Sequence, residues 1–431
     1  LEKLSSDDFT LLIFPGQKNN LGFVAKVTET QNLLSSLVSW ETTMENDTDK
    51  LFAILGKEGP ALSSSFKTSF YQGVGFRYLT ISREDFGICY AWFDDYFVLT
   101  SSFDSMKKTI DAVKAKELES QVGQLFIIGF EGKSVTPDFE QLFRKYLPGG
   151  VLLLSKNIES KEQLKKLTED LQSLSLREAK LPLFIAVDQE GGVISRVDFA
   201  GEKTPQSEIN DPNQAYQVGL ERGEELKDLG INLNLAPVLD MTQEGDFLFN
   251  RSFQKDAAET GELAKSLVLG QKTAGILSAV KHFPGYGDIN FNPEGSLAKV
   301  DSLPEISQFK KAAEASPEFV LTANVVYKSL DSSLPFSFSS NALQFLKANL
   351  GENALIVTDD LAQNYLLENF SLEDIIKKPI EAGADILIFS GWEIDVSQGL
   401  DAFFTSFENN EISQAKIKEA ISKIIKIKEN I

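Results

Sequence analysis

Lys281-His282-Phe283-Pro284-Gly285-Tyr286-Gly287 follows directly on the apolar run Gly275-Ile276-Leu277-Ser278-Ala279-Val280 and contains the only histidine of this 431-residue chain. An apolar run that ends in a charged pair and then breaks into a glycine-rich loop is how a barrel strand looks where it delivers side chains to a site. A single histidine excludes a histidine metal cluster and a dispersed histidine pH switch. The loop beyond, Asp288-Ile289-Asn290-Phe291-Asn292-Pro293-Glu294, holds no histidine.

Working outward, the same kind of run recurs. From Glu117 on, strand-like stretches lie at 150–154, 183–187, 231–235, 278–281, 319–323, 354–358 and 384–389. Amphipathic helical stretches such as 161–171, 215–226 and 257–272 separate them. Regular strand-helix alternation implies parallel strands joined by crossover helices. Seven visible strands fit a (β/α)₈ barrel better than a doubly wound sheet. No Gly-x-Gly-x-x-Gly follows a strand, which argues against a dinucleotide fold. The lysine-rich stretch 412–431 reads as the closing helix.

Residues 1–116 read differently. Strand patterns at 9–14, 21–27, 75–81, 87–93 and 96–100 come in runs, with helix-like segments at 32–43 and 105–116. Asp94-Asp95 suits a two-residue hairpin turn. Strands in runs with helices between them predict a small α+β domain. It carries no cluster of catalytic residue types, and its aromatic strands read as core. The expected organisation is therefore α/β: a TIM-type (β/α)₈ barrel over 117–431, preceded by an α+β domain of unassigned role over 1–116.

The net charge of −21 argues against nucleic acid and anionic membrane surfaces as partners, because both would be repelled. The apolar share of 42% and charged share of 24% are those of an ordinary globular chain. Cys89 is the only cysteine, so an intrachain disulfide is impossible. No apolar stretch reaches the roughly 18 residues that cross a bilayer. The chain starts at Leu1 rather than Met, which reads as a processed or trimmed product. With the additional domain, this leans toward an envelope location. No metal or organic cofactor is implied.

Five strands end in polar residues that a core would not select. They are followed by Asp188-Gln189-Glu190-Gly191-Gly192 with Arg196 nearby, by Ala236-Pro237-Val238-Leu239-Asp240 with Asn250-Arg251-Ser252-Phe253 after it, by Lys281-His282, by Asn324, and by Thr358-Asp359-Asp360. One such end is ordinary helix capping. Several, carrying both signs of charge, point to the C-terminal rim where barrel enzymes keep their sites.

These motifs, in this order, resemble glycoside hydrolase family 3, in particular its bacterial β-N-acetylglucosaminidase branch. Lys156-Asn157-Ile158-Glu159-Ser160, after the strand-like run 150–154, also fits. The resemblance covers about 117–431. It implies a retaining mechanism with a carbohydrate substrate: a carboxylate attacks the anomeric carbon, and a second group donates and then accepts a proton. Asp359 matches the nucleophile. Asp360 takes a capping or supporting role, and the plain alternative is that Asp359 or Asp360 merely caps a helix beginning near Leu361. Asp188, Arg196, Arg251, Lys281 and His282 match positions that bind sugar hydroxyls or the N-acetyl group; a structural network around Asp359 is the alternative for the Lys281-His282 pair. Val193 stands where the family often has arginine.

The departures concern the proton donor. Where the branch carries Asp-Ser-His, this chain has Asn292-Pro293-Glu294. Tyr286 replaces the second histidine of Lys-His-Phe-Pro-Gly-His-Gly, and Asn324 stands where a histidine is often found. Either Glu294 takes over as acid/base, as carboxylic acids do in most glycosidases, or the barrel binds glycan without hydrolysing it. The resemblance thus implies an exo-glycosidase releasing terminal β-linked N-acetylglucosamine (N-acetylhexosamine) from glycans or cell-wall fragments. The alternatives are a catalytically degenerate glycan-binding or scaffold protein and another family 3 exo-glycosidase. Thr-Asp-Asp, rather than an aspartate followed by tryptophan, argues against a β-glucosidase.

Overall fold

A computed structural model describes residues 9–14, 20–27, 33–287, 289, 291–391 and 393–431, apart from the side chains of Asn20, Leu34 and Glu294. Leu1, the expected helix start at Asn32, Asp288 and Asn290 of the central loop, and the Glu294 carboxylate therefore lie outside the described residues. The chain divides into two compact units, Leu1–Glu119 and Ser120–Ile431.

The first unit is built on six antiparallel strands: β1 (Phe9–Phe14), β2 (Asn20–Lys26), β3 (Lys67–Tyr71), β4 (Val74–Ser82), β5 (Phe86–Phe93) and β6 (Tyr96–Thr100). Their order in the sheet is β1-β2-β6-β5-β4-β3. Asp94 adopts the left-handed conformation (φ 49°) in the β5–β6 hairpin. Strand β3, Lys-Thr-Ser-Phe-Tyr, has no apolar run and was not expected from the sequence; pairing with β4 at the sheet edge makes it a strand. Both faces are covered. Leu37, Met44 and Phe52 pack on Ile88 and Tyr90 on one side. Met106, Ile110 and Val113 of helix Phe103–Gln121 pack on Phe76 and Val98 on the other.

The second unit is an eight-stranded parallel barrel. Its strands, in chain order, are Phe126–Ile128, Gly150–Leu153, Phe184–Val187, Leu233–Asn234, Leu277–Phe283, Phe319–Thr322, Leu355–Thr358 and Leu387–Phe389. Neighbours in sequence are neighbours in the sheet, and the first strand pairs with the eighth. A parallel bridge between Val357 and Ile386 links the seventh and eighth strands. The first strand is only three residues long, too short to register as a periodic run. The fifth runs further than its apolar pattern, so Lys281 and His282 lie within the strand rather than beyond its end.

The strands are apolar on both faces because one face fills the barrel and the other meets helices. All four residues of Leu355–Thr358 are buried, as are those of Phe184–Val187. The helices start where the sequence supplies a cap. Ser160 Oγ accepts from Gln163 N–H, Asp256 from Glu259 N–H and Ser371 from Asp374 N–H. Helices Pro212–Asp228 and Ala257–Ala274 approach so closely that a Cβ on Gly219 would lie 2.2 Å from the Leu267 carbonyl oxygen, so only glycine fits there.

Candidate active site

A cavity of about 720 Å³ opens at the C-terminal ends of the barrel strands. Asp188 enters it after the third strand, Lys281 and His282 from the fifth, and Asp359 after the seventh. Arg196 and Arg251 reach it from the loops after the third and fourth strands. The structure thus brings together six of the seven residues singled out in the sequence. For the seventh, Glu294, the backbone forms a 3₁₀ turn, Pro293–Gly295, whose flanking Asn292, Pro293 and Gly295 line the cavity.

One wall is an ion cluster. Lys281 Nζ lies 2.7 Å from both Asp188 Oδ1 and Glu190 Oε1. Arg251 grips Glu190 with two bonds, Nη2 to Oε1 at 2.7 Å and Nε to Oε2 at 2.9 Å. Glu190 is 1% exposed and Lys281 2%. Burial alone would raise the Glu190 pKa, but the charges and hydrogen bonds of Arg251 and Lys281 hold it well below the usual carboxylate range. Burial likewise opposes the charge on Lys281, and Asp188 and Glu190 outweigh it and raise its pKa. The cluster holds two acids and two bases, so it is neutral as a whole. Glu190 was not singled out in the sequence, although it lies in the quoted Asp188-Gln189-Glu190 stretch. A buried acid on a short hairpin strand has no signal separating it from an exposed one.

The single histidine is committed. His282 Nδ1 sits 2.8 Å from Asp240 Oδ2, and its backbone N–H donates to the same oxygen at 3.0 Å. The second Asp240 oxygen accepts from the Tyr286 N–H at 2.6 Å. Asp240, fully buried, thus folds the Phe283-Pro284-Gly285 turn back onto the strand. Burial would raise its pKa, yet the His282 and backbone bonds hold it low.

Asp359 is held by two donors. Tyr286 Oη donates to Oδ2 at 2.7 Å, and the Asp360 N–H donates to Oδ1 at 2.8 Å. Asp360 turns away, accepting from the N–H groups of Ala362 and Ser390, each at 3.0 Å, and from the Ser390 hydroxyl. Burial first, and the charge of Asp359 next, push the Asp360 pKa up. The helix near Leu361 is Asn364–Leu367, its N-cap is Gln363, and its first N–H bonds Glu393. Helix capping therefore does not account for Asp359. Asn324, where a histidine was looked for, is buried; its side chain donates to the Asp360 carbonyl at 3.0 Å and accepts from Ser337 at 2.9 Å.

Arg196 lines the cavity, and its Nε is buried with no hydrogen-bond partner among the described residues. Val193, on the same hairpin, is 68% exposed. Among the described residues, no three His, Cys, Asp or Glu side chains cluster as a metal site would require. No described helix is long and apolar enough to cross a membrane.

The fold and this rim define a TIM-type barrel with its polar site at the strand C-termini. The family model described as "Glycosyl hydrolase family 3 N terminal domain" matches residues 117–427, and the chain belongs to that family. Beta-hexosaminidase A of Pseudoalteromonas piscicida is 28% identical over 335 residues, covering 68% of this chain and 55% of that protein. The Beta-hexosaminidase of Methylobacillus flagellatus is 32% identical over 249 residues, covering 54% of this chain and 70% of the relative. Among solved structures, a family 3 β-N-acetylglucosaminidase from Paenibacillus sp. superposes with a TM-score of 0.69 at 29% identity, covering 73% of this chain and 62% of that one. The chain thus spans little more than half the length of the first of these relatives and under two thirds of the solved structure.

Proposed function

We propose that the barrel is a retaining exo-glycosidase that removes terminal β-linked N-acetylglucosamine from glycans or cell-wall fragments. The observation that carries the reading is the placement of Asp359: a carboxylate at the end of the seventh strand, facing the cavity and steadied on both oxygens. The names of the relatives, β-hexosaminidase and β-N-acetylglucosaminidase, support the sugar. In this reading Asp359 attacks the anomeric carbon. The Asp188–Glu190–Lys281–Arg251 cluster and His282 supply the dense donors and acceptors that sugar hydroxyls need when they leave water. Arg196, which lines the same cavity, is a further cationic donor for a polar group of the ligand.

The acid/base is assigned to Glu294. His282 is bound to Asp240 and no other histidine exists, so the proton donor is not a histidine on a loop. Glu294 occupies the turn whose flanks line the cavity. A non-catalytic glycan-binding barrel is the second reading, and the same departures, Tyr286, Asn324 and Asn292-Pro293-Glu294, favour it.

One experiment separates them. Turnover is measured on aryl β-N-acetylglucosaminides with good and poor leaving groups, for wild type, Asp359→Asn and Glu294→Gln. The enzyme reading expects wild-type turnover that Asp359→Asn abolishes. It also expects Glu294→Gln to slow poor leaving groups by about 10²–10⁴-fold and activated ones much less, because an acid matters most when the leaving group is poor. Equal sluggishness of all three proteins, with N-acetylglucosamine still bound, would establish the binding reading instead.

A further inference from the structure

We infer that Tyr286 is a positioning residue for Asp359, whose hydroxyl selectively stabilises the free carboxylate and so assists release of the sugar from the enzyme. This rests on the retaining reading above. Tyr286 stands in the glycine-rich turn after the fifth strand, one strand removed from the seventh, and its Oη reaches Asp359 Oδ2 at 2.7 Å. Among the described residues, two hydrogen bonds of the hydroxyl are seen, one to Asp359 and one from Asn324. It accepts the Asn324 backbone N–H at 3.1 Å, which leaves its one proton aimed at the carboxylate. The ring is fixed as well. It is 8% exposed, it meets His282 edge-on with centroids 5.2 Å apart, and its backbone N–H is tied to Asp240. Burial and the charge of Asp359 raise the phenol pKa far above its ordinary value, so Tyr286 keeps its proton at working pH.

That proton matters differently at each stage. In the first step an Asp359 oxygen forms a bond to the anomeric carbon. The glycosidic C–O bond breaks, and its electron pair leaves with the aglycone oxygen, which is protonated by the acid. The carboxylate becomes a neutral ester, and the charge-assisted bond from Tyr286 becomes an ordinary one, roughly half as strong. In the second step water adds to the anomeric carbon and gives its proton to the base. The ester C–O bond breaks, and its pair returns to Asp359. Charge then reappears beside a donor already in place, which is where preorganised donors accelerate a reaction. Tyr286 gives up no proton in either step. It opposes attack slightly and favours release.

The test compares wild type with Tyr286→Phe on an activated aryl β-N-acetylglucosaminide, where release limits turnover. Only the difference between the two bonds acts on release, about half of one charge-assisted hydrogen bond, which corresponds to roughly 3–10-fold. The expected result is a kcat lower by about that factor and a KM lower with it. The kcat/KM should change far less, with a pre-steady-state burst and a covalent adduct of one N-acetylhexosamine in the mass of the acid-quenched protein. Equal falls in kcat and kcat/KM, with no adduct, would overturn the inference. If wild type neither turns over nor forms an adduct, the glycosidase reading itself fails, which is a separate outcome. Should Tyr286→Phe not fold, 3,5-difluorotyrosine at 286 keeps the ring and strengthens the donor. It should leave a smaller steady-state adduct than wild type, and an unchanged or larger adduct would overturn the inference.

Discussion

Glu190→Gln should destabilise the barrel by about 3–5 kcal/mol at pH 7, the cost of removing one partner from a buried charge pair. The substitution keeps the shape and removes the charge. Glu190 now accepts three hydrogen bonds, one from Lys281 and two from Arg251, all between 2.7 and 2.9 Å. An amide offers one acceptor oxygen and turns its NH₂ toward a cation, so at least one bond becomes a donor facing a donor. The neutral cluster becomes a net positive one inside the protein. At roughly 2–4 °C per kcal/mol, the barrel transition in calorimetry of the full chain should fall by about 6–20 °C. The pH dependence is the sharper signature. The folded pKa of Glu190 lies below its unfolded value of 4.5. The stability it contributes is therefore complete above pH 4.5 and is lost as pH falls through the folded pKa. At about 1.36 kcal/mol per unit, the gap between wild type and variant should narrow by about 2 kcal/mol on going from pH 4.5 to pH 3. A gap under about 1 kcal/mol at pH 7, or one that stays constant down to pH 3, would refute the argument.

Two further predictions follow from other parts of the chain. Lys428 is fully buried; its Nζ bonds Gln124 Oε1 and the Gly149 carbonyl, each at 2.7 Å, and burial brings its pKa down to about 7. Because the folded pKa lies below the unfolded 10.5, the unfolded chain holds the extra proton between those values, and stability rises with pH across that window. Wild type should gain about 2 kcal/mol between pH 7 and 9 relative to Lys428→Met, read from urea midpoints, and equal slopes for both proteins would reject the assignment. Residues 117–431 expressed alone should fold and keep the turnover of the full chain; a folded fragment without activity would mean that the first 116 residues supply a group to the site.

The barrel was legible because its strands are buried on both faces and read as unbroken apolar runs. Leu355-Ile356-Val357-Thr358 and Phe184-Ile185-Ala186-Val187 could hardly be anything else in an alternating chain. What escaped was short or half-polar. Phe126-Ile127-Ile128 is too brief for a period to show, and it is a strand because it pairs with its neighbours on both sides. Lys67–Tyr71 sits at a sheet edge with little apolar character, where pairing with β4 rather than composition decides its conformation.

The site was legible in a different way. Asp188, Arg251, Lys281, His282 and Asp359 were found because polar side chains at strand ends are costly unless they serve something. Their placement came from chain order, and the barrel converts that order into a ring. The partners were not legible, because a partner is a matter of where a side chain points. Glu190 is one residue from a backbone amide that bonds Asn234, and the Gln189–Gly191 hairpin turns its carboxylate toward Lys281 and Arg251 instead of solvent. The sequence marks Tyr286 only as a departure from a motif. The turn fixed by Asp240 aims its hydroxyl past the sixth strand to Asp359, 73 residues further along the chain. A histidine at 286 would carry a proton that can come and go; a phenol this deeply buried beside a carboxylate keeps its proton. The resemblance to Lys-His-Phe-Pro-Gly-His-Gly thus implies the exchange of a group that titrates near neutral pH for a fixed donor. Under the proposed retaining reading, proton transfer in the cavity is then the task of a different residue, assigned above to Glu294.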